Sequence, residues 1–261
     1  MRERVWILSK PSPVADELTG LIAAAGISRA ARPERATVWL VALPRSEAIE
    51  VLSRTLPPHV TVVDLSGTLR VGRMGRYALV DGDELVDGDP PFRGDRLACP
   101  APLPAAVILG MRRAGLDRHD FIDGPIQVSA AAGVSVATEG RGGTMSLSRR
   151  LFHHPQAHEI TTALSGIDVA NFACMVSHAQ PRGVMAIVTG RLTNRGLHRV
   201  IPTTEVDDFD LGLVLDTAEV RHRLVLQREG RGALFTLAVV MDDITFQATN
   251  AVRLVKALHG A

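Results

Sequence analysis

The chain has 261 residues, 46% hydrophobic and 22% charged, with a formal net charge of +1. That is enough chain for one large domain or two small ones with a sizeable core, and the charge balance argues against a nucleic-acid or membrane-surface binder. Its two cysteines, Cys99 and Cys174, form no CxxC and no His/Cys cluster, so neither a structural zinc nor a disulfide framework is expected. No metal or cofactor is assigned. Of 29 basic residues only Lys10 and Lys256 are lysines. Anion contacts are therefore expected to be bidentate arginine contacts. The apolar run Val5–Leu8 is too short for a secretion signal, and no run reaches the roughly 18 residues of a membrane span, so a cytoplasmic protein is expected.

In chain order, Val5–Leu8 reads as a buried strand and Val14–Ala25 as a helix stopped at Gly26. Thr37–Leu43 is a second strand, Ser46–Leu56 a helix capped by Ser46, and Val60–Leu65 a third strand. Strands alternating with helices over short links imply a parallel sheet. Residues 81–96 read as a surface loop and Pro104–Ala114 as a helix. Ile126–Ala131 is a strand, 140–143 a glycine-rich loop, and 160–164 helical. Phe172–Val176 and Gly183–Leu192 read as paired strands, Ala233–Val240 as a strand and Ile244–Leu258 as a terminal helix.

Several segments in this order resemble one family. They are Val38–Pro44, Val62–Arg70 (Val-Val-Asp-Leu-Ser-Gly-Thr-Leu-Arg), Ala131–Ala137, His178–Gly183 and Asp242-Asp243-Ile244. They resemble the N-acetyl-gamma-glutamyl-phosphate reductases, sisters of the aspartate-semialdehyde dehydrogenases. The resemblance implies an α/β fold. A Rossmann-like parallel-sheet domain (1–98 and 241–261) would be joined by an α+β substrate and dimerisation domain (99–240), and the C-terminal helix would return to the first domain.

Two hallmarks of that family are missing. The phosphate-binding glycine turn is replaced by Leu8-Ser9-Lys10-Pro11-Ser12-Pro13, with no glycine and two residues lacking an N–H. A second glycine-bearing loop has Val136 where glycine is expected. The nucleophilic cysteine of the family falls on Pro102, and Cys99, three residues earlier, reads as a packed residue because covalent chemistry tolerates misplacement of only about 1 Å.

The family's catalytic histidine falls on His154, within His153-His154-Pro155-Gln156-Ala157-His158-Glu159-Ile160. Without acidic or cysteine partners at ligand spacing, the histidines there suggest a base rather than a metal site, although surface histidines capping a helix would look the same. His178 matches a family histidine, as a loop-orienting residue or a second catalytic one. Arg70 and Arg182 match arginines near the family's substrate pocket. Arg70 follows a parallel strand's C-terminal end, where ligands bind in such sheets, and Ser66 and Ser135 are candidate hydrogen-bond donors.

A scaffold keeping an anion pocket and a base, but neither hydride donor nor thiol, implies a non-redox enzyme. The expectation is loss of phosphate or sulfate with intramolecular amine attack, giving a small ring such as an aziridine. In that respect the chain resembles the aziridine-forming proteins of azinomycin-type pathways. The implied partner is a small acidic amino-group carrier protein, for which Arg141, Arg149 and Arg150 offer a docking surface, with assembly as a homodimer or with a paralogue. The alternatives are a non-catalytic subunit supporting an active paralogue and an NADP-dependent reductase.

Overall fold

The structure is a computed structural model and describes residues 4–54, 56–72, 74–82, 84–86, 94–133, 145–147, 155–177, 182–200, 216–229 and 232–260. It divides into two compact units, Met1–Pro100 with Ile244–Ala261, and Ala101–Asp243.

The first unit carries β1 (Arg4–Ser9), α1 (Pro13–Ala24), β2 (Ser28–Arg29), β3 (Val38–Ala42), α2 (Arg45–Leu52) and β4 (Thr61–Asp64). After them come α3 (Thr68–Gly72), β5 (Arg76–Tyr77), a small hairpin of β6 (Val80–Asp81) and β7 (Glu84–Leu85), and β8 (Arg96–Ala98). The main sheet is wholly parallel in the order β2-β1-β3-β4-β8-β5. Successive strand residues point to opposite faces, and the apolar side chains sort accordingly. Val38, Leu40 and Val63 join Leu18 and Ile22 of α1 in one layer, while Trp39, Val41 and Val62 join Ala48 and Leu52 of α2 in the other. Both faces are covered, which is why these strands read as continuous apolar runs.

Three details differ from the sequence reading. Helix α2 begins at Arg45 behind Pro44, with no side-chain cap, and stops at Leu52 rather than Leu56. Ser46 is therefore inside the helix, because Pro44, locked near φ −51°, already sets the entry of the chain. Residues 81–96 are not all loop, since they include β7 and the start of β8.

The second unit contains α4 (Pro102–Arg113), β9 (Ile126–Gly133), β10 (Met145–Leu147), α5 (Pro155–Ala163), β11 (Val169–Ser177), β12 (Val184–Leu192), α6 (Asn194–Leu197), β13 (Val220–Glu229) and β14 (Gly232–Met241). Its sheet runs β10-β11-β9-β12-β14-β13. Strands β11 and β12, expected to pair with each other, instead flank β9, with β11 parallel to it and β12 antiparallel. The alternation of the two strands is real, but which neighbour each takes depends on β9, distant in sequence. Helix α4 lies against the inner face and is buried from Pro102 to Met111. It can approach so closely because residue 110 is glycine. A Cβ there would meet the Cγ2 atom of Val239 at 2.4 Å.

The chain ends in α7 (Asp243–Gly260), whose Ala248, Ala251, Leu254, Val255 and Leu258 complete the α1 layer of the first core. The buried Asn250 on this helix satisfies loop backbone that would otherwise be orphaned. Its Oδ1 accepts the N–H of Val80 at 2.9 Å, and its Nδ2 donates to the carbonyl of Ala78 at 3.1 Å. Removing it strands two buried backbone groups. Asn250→Ala is expected to lower the stability of this unit by about 2–4 kcal/mol, measured as a fall in the urea unfolding midpoint; an unchanged midpoint would refute the assignment.

Candidate functional site

The loop leaving β4 is built around Asp64, whose side chain has no solvent exposure. One carboxylate oxygen accepts the Ser66 N–H at 2.8 Å and the Ser66 hydroxyl at 2.5 Å, and the other accepts the Leu69 N–H at 2.7 Å. The Ser66 oxygen also accepts the Thr68 N–H at 3.2 Å and lies 2.9 Å from the Thr68 hydroxyl. A serine has one proton to give, and here it goes to Asp64. Gly67 takes φ +79°, and the guanidinium of Arg70 lies over it, so that a Cβ on Gly67 would come within 2.5 Å of Nη2. Arg70 Nη1 donates to the Cys99 carbonyl at 2.6 Å, tying the loop to the end of β8.

Arg182, in the second unit, is also engaged. It pairs with the buried Asp242 at 3.4 Å and with Asp216 more closely. Asp216 has φ +60°, and its N–H donates at 2.8 Å to the same Oδ2 of Asp242 that faces Arg182. The neighbouring Asp243 accepts the Gly183 N–H at 2.5 Å. For Arg182 to clamp a substrate anion, that anion must take the place of the exposed Asp216 carboxylate. Arg70 and Arg182 thus belong to different units. His154, His178 and Ser135 lie outside the described residues, as do Val136, Arg141, Arg149 and Arg150.

The cysteine and dinucleotide positions can be tested directly. Pro102 is the first residue of α4 and is buried. With Pro104 two places on, that helix start lacks two N–H donors. A carboxylate already sits there: Glu159, only 9% exposed, accepts the Ala101 N–H at 2.9 Å. Glu159 carries no signal of this role in the sequence, because the Ala101 N–H it accepts lies 58 residues away. Burial, with the charge of Asp64 adding to it, pushes the Cys99 thiol up to about 12. Burial likewise raises Cys174 to about 11. At the start of α1, Ser12 accepts the Ala15 N–H at 3.2 Å, Pro13 has none, and Asp16 adds a negative charge to the first turn. Lys10 is paired with Glu47 at 2.6 Å. This donor set does not fit a dinucleotide pyrophosphate, which needs free backbone N–H groups and close glycine approach. Among the described residues no group of three or more His, Cys, Asp or Glu could hold a metal ion, and no helix is long and apolar enough to cross a membrane.

The fold these units define is that of the aspartate-semialdehyde dehydrogenases. A probable aspartate-semialdehyde dehydrogenase from Pseudomonas aeruginosa matches with a TM-score of 0.71 and 15% identity, over 99% of each chain. Aspartate-semialdehyde dehydrogenase II from Vibrio cholerae matches at 0.66 and 11%, over 100% of this chain and 99% of its own. The Candida albicans enzyme, solved with NADP, matches at 0.65 and 9%, over 99% of each. No family model and no curated protein matches the sequence. The likeness is one of fold: a reductase-like scaffold with a parallel-sheet unit and a mixed-sheet unit.

With both thiols buried and raised, a thiol reagent at pH 7 is expected to modify neither cysteine in the native protein and both after denaturation. Stoichiometric native labelling of Cys99 would restore it as a nucleophile.

Proposed function

We propose that this chain performs non-redox chemistry on a reductase scaffold: departure of phosphate or sulfate from an activated amino-acid derivative, driven by attack of an internal amine. What supports this reading is that the residues at the two positions which the resemblance assigns to redox chemistry offer neither a thiol nor a glycine turn. A buried proline starts α4 where the family has its nucleophile, and the start of α1 is filled by Ser12, Pro13 and Asp16. Arg70 nonetheless remains beyond the C-terminal end of β4, the side of a parallel sheet where ligands bind.

In the step, the amine nitrogen forms a bond to the carbon bearing the ester. The carbon–oxygen bond breaks, and its electron pair leaves with the anion. His154 takes the amine proton, and the Arg70 guanidinium meets the developing negative charge. Ser66, Ser135, Arg182 and His178 are the remaining candidates for holding the substrate and its loops. The product is a small nitrogen ring such as an aziridine, and the substrate is held by a small acidic amino-group carrier protein. The protein acts in the cytoplasm of a bacterium, in specialised metabolism.

A second reading has its own support. Ser66 gives its proton to Asp64, Arg182 is paired with two aspartates, and Glu159 occupies the start of α4. Polar groups so fully satisfied internally suit a non-catalytic subunit that supports an active paralogue. The third reading, an NADP-dependent reductase, requires the misfit at α1 to be overcome, and predicts NADPH binding at millimolar cofactor.

The test is affinity recovery from the producing organism followed by intact-mass analysis. The ring-closing reading expects a small acidic protein bearing a phosphorylated or sulfated adduct. Incubation with this chain should release the inorganic anion, and His154→Gln should slow that release by about 10²-fold or more. Recovery only of a larger paralogue with its own catalytic residues, and anion release indifferent to His154→Gln, would overturn it in favour of the supporting subunit.

A further inference from the structure

Three aspartates meet at Arg182-Gly183, and only one of them can leave. The backbone there is pinned. Asp243 accepts the Gly183 N–H at 2.5 Å, and the Gly183 carbonyl accepts the Gly133 N–H at 2.8 Å. The chain passes so close to the end of β9 that a Cβ on Gly133 would come within 2.7 Å of the Arg182 Cα atom. The guanidinium is then held by Asp242 at 3.4 Å. Asp242 has no solvent exposure and Asp243 only 1%, so neither carboxylate can turn out into water. Asp216 differs from both. Its side chain is 81% exposed, yet it lies against a guanidinium that is itself only 19% exposed.

We propose that Asp216 is a tethered occupant of a carboxylate-binding site. Its side chain fills the place on Arg182 that the carboxylate of a ligand takes, and it turns out into solvent when that ligand arrives. The exchange needs rotation of one side chain and no movement of the backbone, because the Asp216 N–H stays on Asp242 at 2.8 Å. It also loses little. An ion pair with one partner in water contributes weakly to stability, and Asp216 holds its position at φ +60°, a conformation that costs an L residue energy. Arg182, by contrast, is already oriented before any ligand comes, by Asp242 and by the pinned backbone, so binding does not have to order it.

The class of ligand follows from charge. One guanidinium already faces the carboxylates of Asp216 and Asp242, with Asp243 beside it. A monoanionic carboxylate replaces Asp216 charge for charge on the same N–H groups. A phosphate dianion would bring an extra negative charge next to two buried carboxylates, where repulsion is least screened. Arg182 therefore takes the free carboxylate of an amino-acid derivative rather than its ester anion. This rests on the assignment of Arg182 to the substrate in the proposed function and not on ring closure.

The test reads binding without turnover, so a failure of ring closure and a failure of this inference are separate results. N-acetylglycine is titrated into the ¹⁵N-labelled full chain at neutral pH and constant ionic strength. The Gly183 amide and the Arg182 side-chain N–H resonances are followed. Both are expected to shift saturably in the wild type. Asp216→Asn, which keeps the size of the side chain and tolerates the same backbone conformation, should tighten binding by about fivefold, the gain expected when an internal competitor occupying the site about four-fifths of the time is removed. Arg182→Lys, which keeps the charge beside Asp242 but loses the fork, should weaken it by about tenfold. Equal or weaker binding by Asp216→Asn would overturn the proposal, as would an absence of shifts at Gly183 in both proteins or indifference to Arg182→Lys. Inorganic phosphate shifting the same resonances at lower concentration than N-acetylglycine would overturn the carboxylate assignment.

Discussion

A carboxylate with no access to water must find hydrogen-bond donors or lose several kcal/mol, and Asp64 finds them by folding the following chain back over itself. Its oxygens collect Ser66 and Leu69, which forces the turn through Gly67 and starts α3. That turn carries Arg70 across to the carbonyl of Cys99. One buried acid at the end of β4 thus sets the loop, the short helix and the placement of Arg70. It also contributes to Cys99 chemistry. Its negative charge adds to the burial that keeps the Cys99 sulfur protonated, while Asn250 and Arg70 act in the opposite direction and are outweighed.

The same demand for satisfied donors closes the starts of α1 and α4. A helix N-terminus offers unpaired N–H groups and a positive end to a ligand. At α1 the offer is reduced by Pro13 and taken up by Ser12, with Asp16 supplying an internal negative charge. At α4 two prolines remove donors, and Glu159 from α5 reaches the preceding N–H. Neither closure disturbs the surrounding packing. Serine and proline are ordinary helix-start residues, and α4 needs only its apolar flank to bury against the sheet. A fold shared at 15% identity is compatible with such local closures.

The parts of this molecule legible in sequence are those fixed by local pattern. The strands β1, β3 and β4 stand out as apolar runs because both their faces are covered, and α1 stands out through Ala15, Leu18 and Ile22 at helical spacing. Strand β8 escapes because it is three residues long and begins with an arginine. The insertion of β9 between β11 and β12 escapes for a different reason. Periodicity says that a strand has a buried face, not which distant strand lies beside it. At the site, Arg70 is visible as an arginine after a strand, but its tie to Cys99, the loss of the Ser66 proton to Asp64 and the pairing of Arg182 with Asp242 are long-range or competitive contacts that no spacing encodes.

Those contacts also rank the candidate arginines. Arg182 faces two carboxylates, one of them fully buried, and withdrawing it would remove the cation beside the buried Asp242. It is first of all a structural cation, and a substrate anion gains access only by displacing the exposed Asp216. Arg70 gives Nη1 to the neutral carbonyl of Cys99. A guanidinium has five N–H groups in a fixed fork, so one bond to a carbonyl is enough to orient it. The burial of Asp64 thus fixes where Arg70 lies, and in the proposed reaction a departing phosphate or sulfate would meet it there.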